Sequence, residues 1–83
     1  MNMHLTISAP DQQIFEGTVE KVTVPGSAGT FQVLKDHAPL VTTLQQGTIV
    51  YQVAAEAHRL AIEKGLIEIA DNRITILLED NTQ

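Results

Sequence analysis

The sequence predicts an all-β fold, an antiparallel sandwich or barrel of short strands. Three observations carry that reading. Apolar and polar residues alternate over short runs, the period of a half-buried strand. Turn residues punctuate the chain about every eight positions, the spacing of small β-sandwiches and barrels. The apolar residues are chiefly Val, Ile and Leu, with only Phe15, Phe31 and Tyr51 as aromatics, a composition that builds an aliphatic core and favours strands.

The elements follow in chain order. Met3, Leu5 and Ile7 alternate with polar neighbours, and Ala9-Pro10-Asp11 ends this strand because Pro10 has no N–H for a ladder. Gln13–Glu16 forms a short second strand, punctuated by Gly17. Thr18–Val24 is a β-branched run whose apolar parity shifts between Val19 and Val22, which suggests a bulge. Pro25-Gly26-Ser27-Ala28-Gly29 is a loop, and Phe31, Val33 and Leu34 mark the next strand. Lys35-Asp36-His37-Ala38-Pro39 is a turn in which Pro39 pushes Ala38 out of the helical region. Leu40–Gln45 is a strand, Gln46-Gly47 its turn, and Thr48–Ala54 a strand with Ile49, Tyr51 and Val53 in alternation. Ala55-Glu56-Ala57 reads as a hairpin tip, after which Leu60 and Ile62 continue the alternation to Lys64-Gly65. The Ala, Glu and Lys content of Val53–Ile69 also suits a helix. There, however, Leu60 and Ile62, then Ile67 and Ile69, alternate by two and Gly65 interrupts, so a strand pair is expected. Leu66–Ala70 and Arg73–Leu78 flank Asp71-Asn72, a tight hairpin connection. Glu79–Gln83 reads as a polar, fraying tail.

Composition narrows the function. A chain of 83 residues is expected to form one domain, 1–83, and with no cysteine it has neither disulfide nor thiolate metal site. The net charge of −5 and the scatter of Lys21, Lys35, Arg59, Lys64 and Arg73 argue against nucleic acid and against an anionic membrane surface. No run approaches the roughly 20 apolar residues of a spanning helix. Met1–Ser8 lacks the basic start and apolar block of a signal peptide, so a cytosolic setting is expected.

Catalytic and ligand motifs fare no better. Gly26-Ser27-Ala28-Gly29 follows a strand, but Thr30-Phe31 stand where a phosphate loop needs Lys and Ser or Thr opening a helix. The glycines read as loop residues that supply unusual φ. His37 beside Asp36 lacks a nucleophile to serve, since the serines are Ser8 and Ser27 only. His4, His37 and His58 have no zinc spacing. What is left is a non-catalytic binding module. Its apolar loop residues Pro25, Phe31, Ala38, Pro39 and Leu40 suit either a docking patch or a seal on the sandwich ends.

One pattern is more specific. Pro25-Gly26, Gly29, Phe31, Val33-Leu34 and His37-Ala38-Pro39-Leu40 stand in fixed order. Gln12–Gly17 and Val19–Val22 precede them, and Gly65–Ile69 and Asn72–Leu77 follow. Together these resemble the epsilon subunit of F-type ATP synthases (delta in mitochondria) over nearly the whole chain. The resemblance implies a flattened sandwich of about ten strands. It implies a non-catalytic central-stalk rotor subunit that binds the gamma subunit and seats on the c-ring, coupling ion flow to ATP synthesis. The setting would be the cytoplasmic face of the bacterial inner membrane, peripheral and without lipid insertion. Carried over, Ala9, Ala38, Pro39, Leu40 and Thr42 would approach gamma, and Ser27, Ala28, Gly29 and Thr30 would face the ring. Gly26, Phe31, His37 and Gly65 would shape the turns. No cofactor and no metal are implied. This chain departs from the pattern at Ala28 and Thr30, where an acid is common, at Gln32, where glycine is usual, and at Glu63-Lys64-Gly65, where Ser-Gly-Gly is common. Many bacterial members continue into a C-terminal helical hairpin; whether these 83 residues are a short form or an excised domain, they are expected to lack that arm and to bind no ATP. The runner-up is a small β-barrel carrier or adaptor domain, for which Lys35 lacks the flanking residues of a carrier lysine.

Overall fold

The computed structural model describes residues 2–79, and within them every regular element is a strand. There are nine strands: β1 Met3–Ala9, β2 Gln12–Val19, β3 Lys21–Gly26, β4 Gly29–Val33, β5 Leu40–Leu44, β6 Gly47–Val53, β7 Glu56–Ile62, β8 Gly65–Ala70 and β9 Arg73–Leu78. Residues 80–83 of the expected polar tail lie outside the described residues.

The hydrogen-bonded order is β2-β1-β9-β8-β5-β3-β6-β7, with β4 on the other side of β3. A single residue pair, Gly26 with Leu44, joins β3 to β5. The sheet folds over at that point into two layers, β2-β1-β9-β8-β5 and β4-β3-β6-β7. The body measures 39 × 24 × 18 Å, and its least dimension suits two layers about 10 Å apart with their outward side chains. All pairings are antiparallel except β1 with β9, which run parallel in the register His4–Arg73 to Ser8–Leu77. A parallel pair needs a long connection, and here nearly the whole chain supplies it.

Each layer turns one residue in two inward. Met3, Leu5 and Ile7 of β1, Ile67 and Ile69 of β8, and Ile74, Ile76 and Leu78 of β9 meet Val22, Val24, Val33, Ile49 and Ile62 of the other layer. No polar residue is buried among the described residues. Phe15 of β2 and Tyr51 of β6 touch across the open side of the fold, ring centroids 4.7 Å apart.

Four local expectations are corrected. Thr18–Val24 is not one bulged strand. The chain bends at Glu20 and passes from one layer to the other, so Val19 and Val22 both face the interior from different sheets. The irregularity lies instead in β2, where Ile7 pairs with Phe15 but Ser8 with Gln13, leaving Ile14 as the extra residue. Gly17 does not end a strand. It pairs with Leu5 inside β2, and a Cβ there would lie 3.1 Å from the Phe15 ring. Pro25 and Gly26 are buried strand residues rather than exposed loop. Pro25 stands where β3 leaves β6 for β5, a position needing no donor, and its carbonyl accepts from the Gln45 N–H at 2.9 Å. The nine strands among the described residues agree with the expected sandwich of about ten.

The β6–β7 turn is Ala54-Ala55 rather than residues 55–57, and Ala54 sits at φ 55°. Left-handed backbone costs a residue with a Cβ roughly 1–2 kcal/mol. Ala54→Gly is therefore expected to stabilise the chain by about 0.5–1 kcal/mol after the glycine's larger unfolded-state entropy is set against it. That corresponds to a melting point higher by roughly 2–8 °C, read by circular dichroism. A lower melting point would show that the turn is not strained.

Candidate docking surface

Residues opposite one another in an antiparallel ladder share a face. Leu40 lies opposite Ile69 and Thr42 opposite Ile67, so both belong to the core-facing side of β5. Leu40 remains 36% exposed because it stands at the rim. The alternate residues Val41 and Thr43 point outward. Thr43, Leu66, Leu77 and Ser8 form one transverse row across β5, β8, β9 and β1. Val41, Glu68, Thr75 and Thr6 form the next. Val41 is 62% exposed, Leu77 49% and Leu66 37%. Three of the large exposed apolar side chains thus stand on one outer sheet face among hydroxyl residues, with Glu68 the one charged group in those two rows. Exposed apolar surface gathered in this way marks a contact site more often than surface scattered singly. The strand alternation contained this signal, but choosing which face was outer required the pairing of β5 with β8.

The other candidate residues fall at the two ends of β5. Ser27, Ala28, Gly29 and Thr30 are exposed at the β3–β4 hairpin, whose closing pair is Gly26 with Gly29. Gly29 has φ 136°, and a Cβ on Gly26 would lie 2.8 Å from the Gly29 carbonyl oxygen and 2.8 Å from the Phe31 ring. The hairpin is tied to the far end of β5: Ser27 N–H donates to the Thr43 carbonyl at 3.0 Å, and the two hydroxyls are 2.7 Å apart. Gly65 is level with Leu44 and Leu78 at this same end, and a Cβ there would meet the Leu77 carbonyl oxygen at 2.9 Å.

At the near end, Leu34 and His37 close a turn, His37 N–H donating to the Leu34 carbonyl at 3.1 Å. His37 Nδ1 donates to the Ala38 carbonyl at 2.8 Å, and its ring lies 6.3 Å from Phe31 between centroids. Ala38 and Pro39 are exposed. Ala9 is not beside them. It follows Ser8, which lies in the row of Thr43 rather than of Leu40. The structure therefore separates Ala9 from the 38–40 segment and brings Ser27 together with Thr43.

Asp36, at φ 67°, links this loop to the β8–β9 turn. Its N–H donates to Asn72 Oδ1 at 2.6 Å, and Asn72 Nδ2 donates to its carboxylate at 3.1 Å. The Asn72 hydrogen bond, then the hydrogen bond and charge of Lys35, hold the Asp36 carboxyl below its ordinary value of 3.8. A carboxyl shifted down stabilises the fold above the unfolded value and loses that contribution as pH falls through the folded value. The advantage of the native chain over Asp36→Asn is thus expected to be complete at neutral pH and to vanish once pH drops well below 3.8. Thermal melts from pH 7 to pH 2.5 check this; parallel curves would show that the ionised carboxylate contributes nothing.

Among the described residues no group of three His, Asp or Glu side chains is placed to hold a metal ion. Comparisons with known proteins identify the family of the chain. Residues 2–82 match the family of the ATP synthase delta/epsilon chain β-sandwich domain. The chain is 36% identical over 77 residues to ATP synthase epsilon chain 2 of Syntrophotalea carbinolica, covering 93% of this chain and 56% of that one. It is 35% identical over 77 residues to the epsilon chain of Caulobacter vibrioides, covering 93% and 90%. It thus spans little more than half of some relatives and nearly all of another. A chain in the Euglena gracilis mitochondrial ATP synthase structure (OSCP/F1/c-ring) superposes with a TM-score of 0.87 at 21% identity, covering 93% of this chain and 50% of that one. One in the Tetrahymena thermophila central stalk and c-ring structure superposes at 0.78 and 17%, covering 96% and 65%. At these identities the structures speak for the fold alone, and the family match over residues 2–82 decides the rest: the chain belongs to the β-sandwich domain family of ATP synthase delta/epsilon chains.

Proposed function

We propose that residues 1–83 act as one non-catalytic domain of the central stalk of an F-type ATP synthase. In this reading it binds the gamma subunit and seats on the c-ring at the cytoplasmic face of the bacterial inner membrane, as part of the linkage between ion flow and ATP synthesis. The observation that carries the reading is the outer face of β5, β8 and β9, where Val41, Leu66 and Leu77 stand exposed in register. In a lasting contact with gamma these side chains leave water, and an interface of roughly 1,200–2,000 Å² accommodates them together with Ala38, Pro39 and the rim of Leu40. Ala9 and Thr42 join only at the margins. The β3–β4 hairpin, Ser27 to Thr30, faces the ring from the other end of β5. It carries no charge, so ring contact there rests on shape and hydrogen bonding.

A rotor linkage must bear load without slipping. Two cross-bonded layers around a closely packed aliphatic core suit that work. Co-purification with the gamma subunit of the same organism, followed by native mass spectrometry, tests the reading. A one-to-one complex that survives dilution is expected. A folded chain that leaves gamma unbound under the same conditions overturns it.

A further inference from the structure

We propose that Asp36 and Asn72 form a clamp that holds residues 36–40 in a docking-ready conformation, making Asn72 a positioning residue for gamma binding. The inference rests on the docking reading above and adds to it a residue outside the partner-facing surface.

Four observations carry it. The two residues are 36 positions apart yet share two hydrogen bonds, one to the Asp36 backbone and one to its side chain. Both take left-handed backbone, φ 67° and 60°, which Asp and Asn tolerate better than other residues with a Cβ. Asn72 is itself fixed, because its carbonyl accepts from the His4 N–H of β1 at 2.9 Å. The anchor therefore belongs to the sheet and the loop is what it restrains. Finally, the other hydrogen bonds of the 34–39 loop among the described residues stay within the loop, Lys35 to Asp36, His37 to Leu34 and His37 to Ala38. The clamp is thus the polar link between the loop and a neighbouring element. Beyond it the chain runs through Ala38 and Pro39 straight into Leu40, the first residue paired with β8.

A loop freed of its link samples more conformations, and the apparent affinity falls by the fraction of time it spends in the competent one. Asn72→Gly deletes the side chain while keeping the left-handed backbone easy. Three measurements on the full chain decide the matter: exchange of the Asp36 amide by NMR, affinity for purified gamma, and the melting point. The expected result is Asp36 exchange faster by about tenfold, gamma affinity weaker by about threefold to tenfold, and a melting point within about 3 °C of the native chain. The swapped pair, Asp36→Asn with Asn72→Asp, is expected to restore exchange and affinity. It presents a carboxylate to the backbone N–H and an amide to the carboxylate. A purely structural role would not predict that rescue at constant melting point.

Unchanged Asp36 exchange in Asn72→Gly overturns the clamp. Faster exchange with unchanged gamma affinity overturns the positioning role. If the native chain itself fails to bind gamma, the docking reading is what falls, and the exchange arm still decides whether the clamp exists.

Discussion

Leu66→Asp is expected to weaken binding to the gamma subunit by at least 100-fold while leaving the chain folded. The position lies on the outer face and is 37% exposed in the free chain, so a carboxylate there stays in contact with water. In the complex it would be buried unpaired against an apolar partner surface. Stranding a charge in an interface costs on the order of 3–5 kcal/mol. That corresponds to two to three and a half orders of magnitude in affinity. Thr48→Asp, on an exposed position of β6 in the other layer, serves as the control and is expected to bind normally. Affinity by surface plasmon resonance, with circular dichroism on both variants, checks the pair. A folded Leu66→Asp chain that binds like the native one would move the interface off this face.

The second large effect is one residue along. Ile67 is fully buried at the centre of β8, between Thr42 of β5 and Ile76 of β9. Ile67→Ala is expected to cost about 2–5 kcal/mol through lost transfer energy and an unfilled cavity. A chain this size has roughly 4–12 kcal/mol in total, so much of its margin would go. The melting point is expected to fall by roughly 8–40 °C. Leu66→Ala, whose side chain points the other way, is expected to move it by only a few degrees. Similar losses at 66 and 67 would contradict the alternation on which the whole face assignment rests.

Most strands could be read from residue alternation because both layers are covered on one side only. Met3-Leu5-Ile7, Ile49-Tyr51-Val53 and Ile74-Ile76 each declare their buried side in two-residue steps. The misreadings cluster where the chain changes layer. At Glu20 a bend between two strands leaves the same parity shift in the sequence as a bulge within one. At Pro25 a residue that usually marks a loop sits inside a strand, since the gap between β6 and β5 asks nothing of its missing N–H. The site was less legible than the fold. Leu40 attracts notice through His37-Ala38-Pro39, yet its side chain leans toward the core. Val41, Leu66 and Leu77 looked like ordinary strand residues, and only the register of β5 on β8 and β8 on β9 gathers them. The link between Asp36 and Asn72 is a contact across half the chain between two turns, which no local pattern announces.

The parallel pairing of β1 with β9 has a mechanical consequence. β1 enters the fold at His4, beside Arg73, and β9 leaves it at Leu77, beside Ser8. Tension applied between the two ends of the chain would slide these strands past each other lengthwise. In that direction the ladder's hydrogen bonds stretch together instead of opening one after another like a zipper, so the first step of forced extension has to break them as a set. Pulling on the β6–β7 hairpin at the edge of the other layer loads its bonds in sequence and should need far less force. The body thus resists lengthwise load on β1 and β9 more strongly than load on the β6–β7 hairpin.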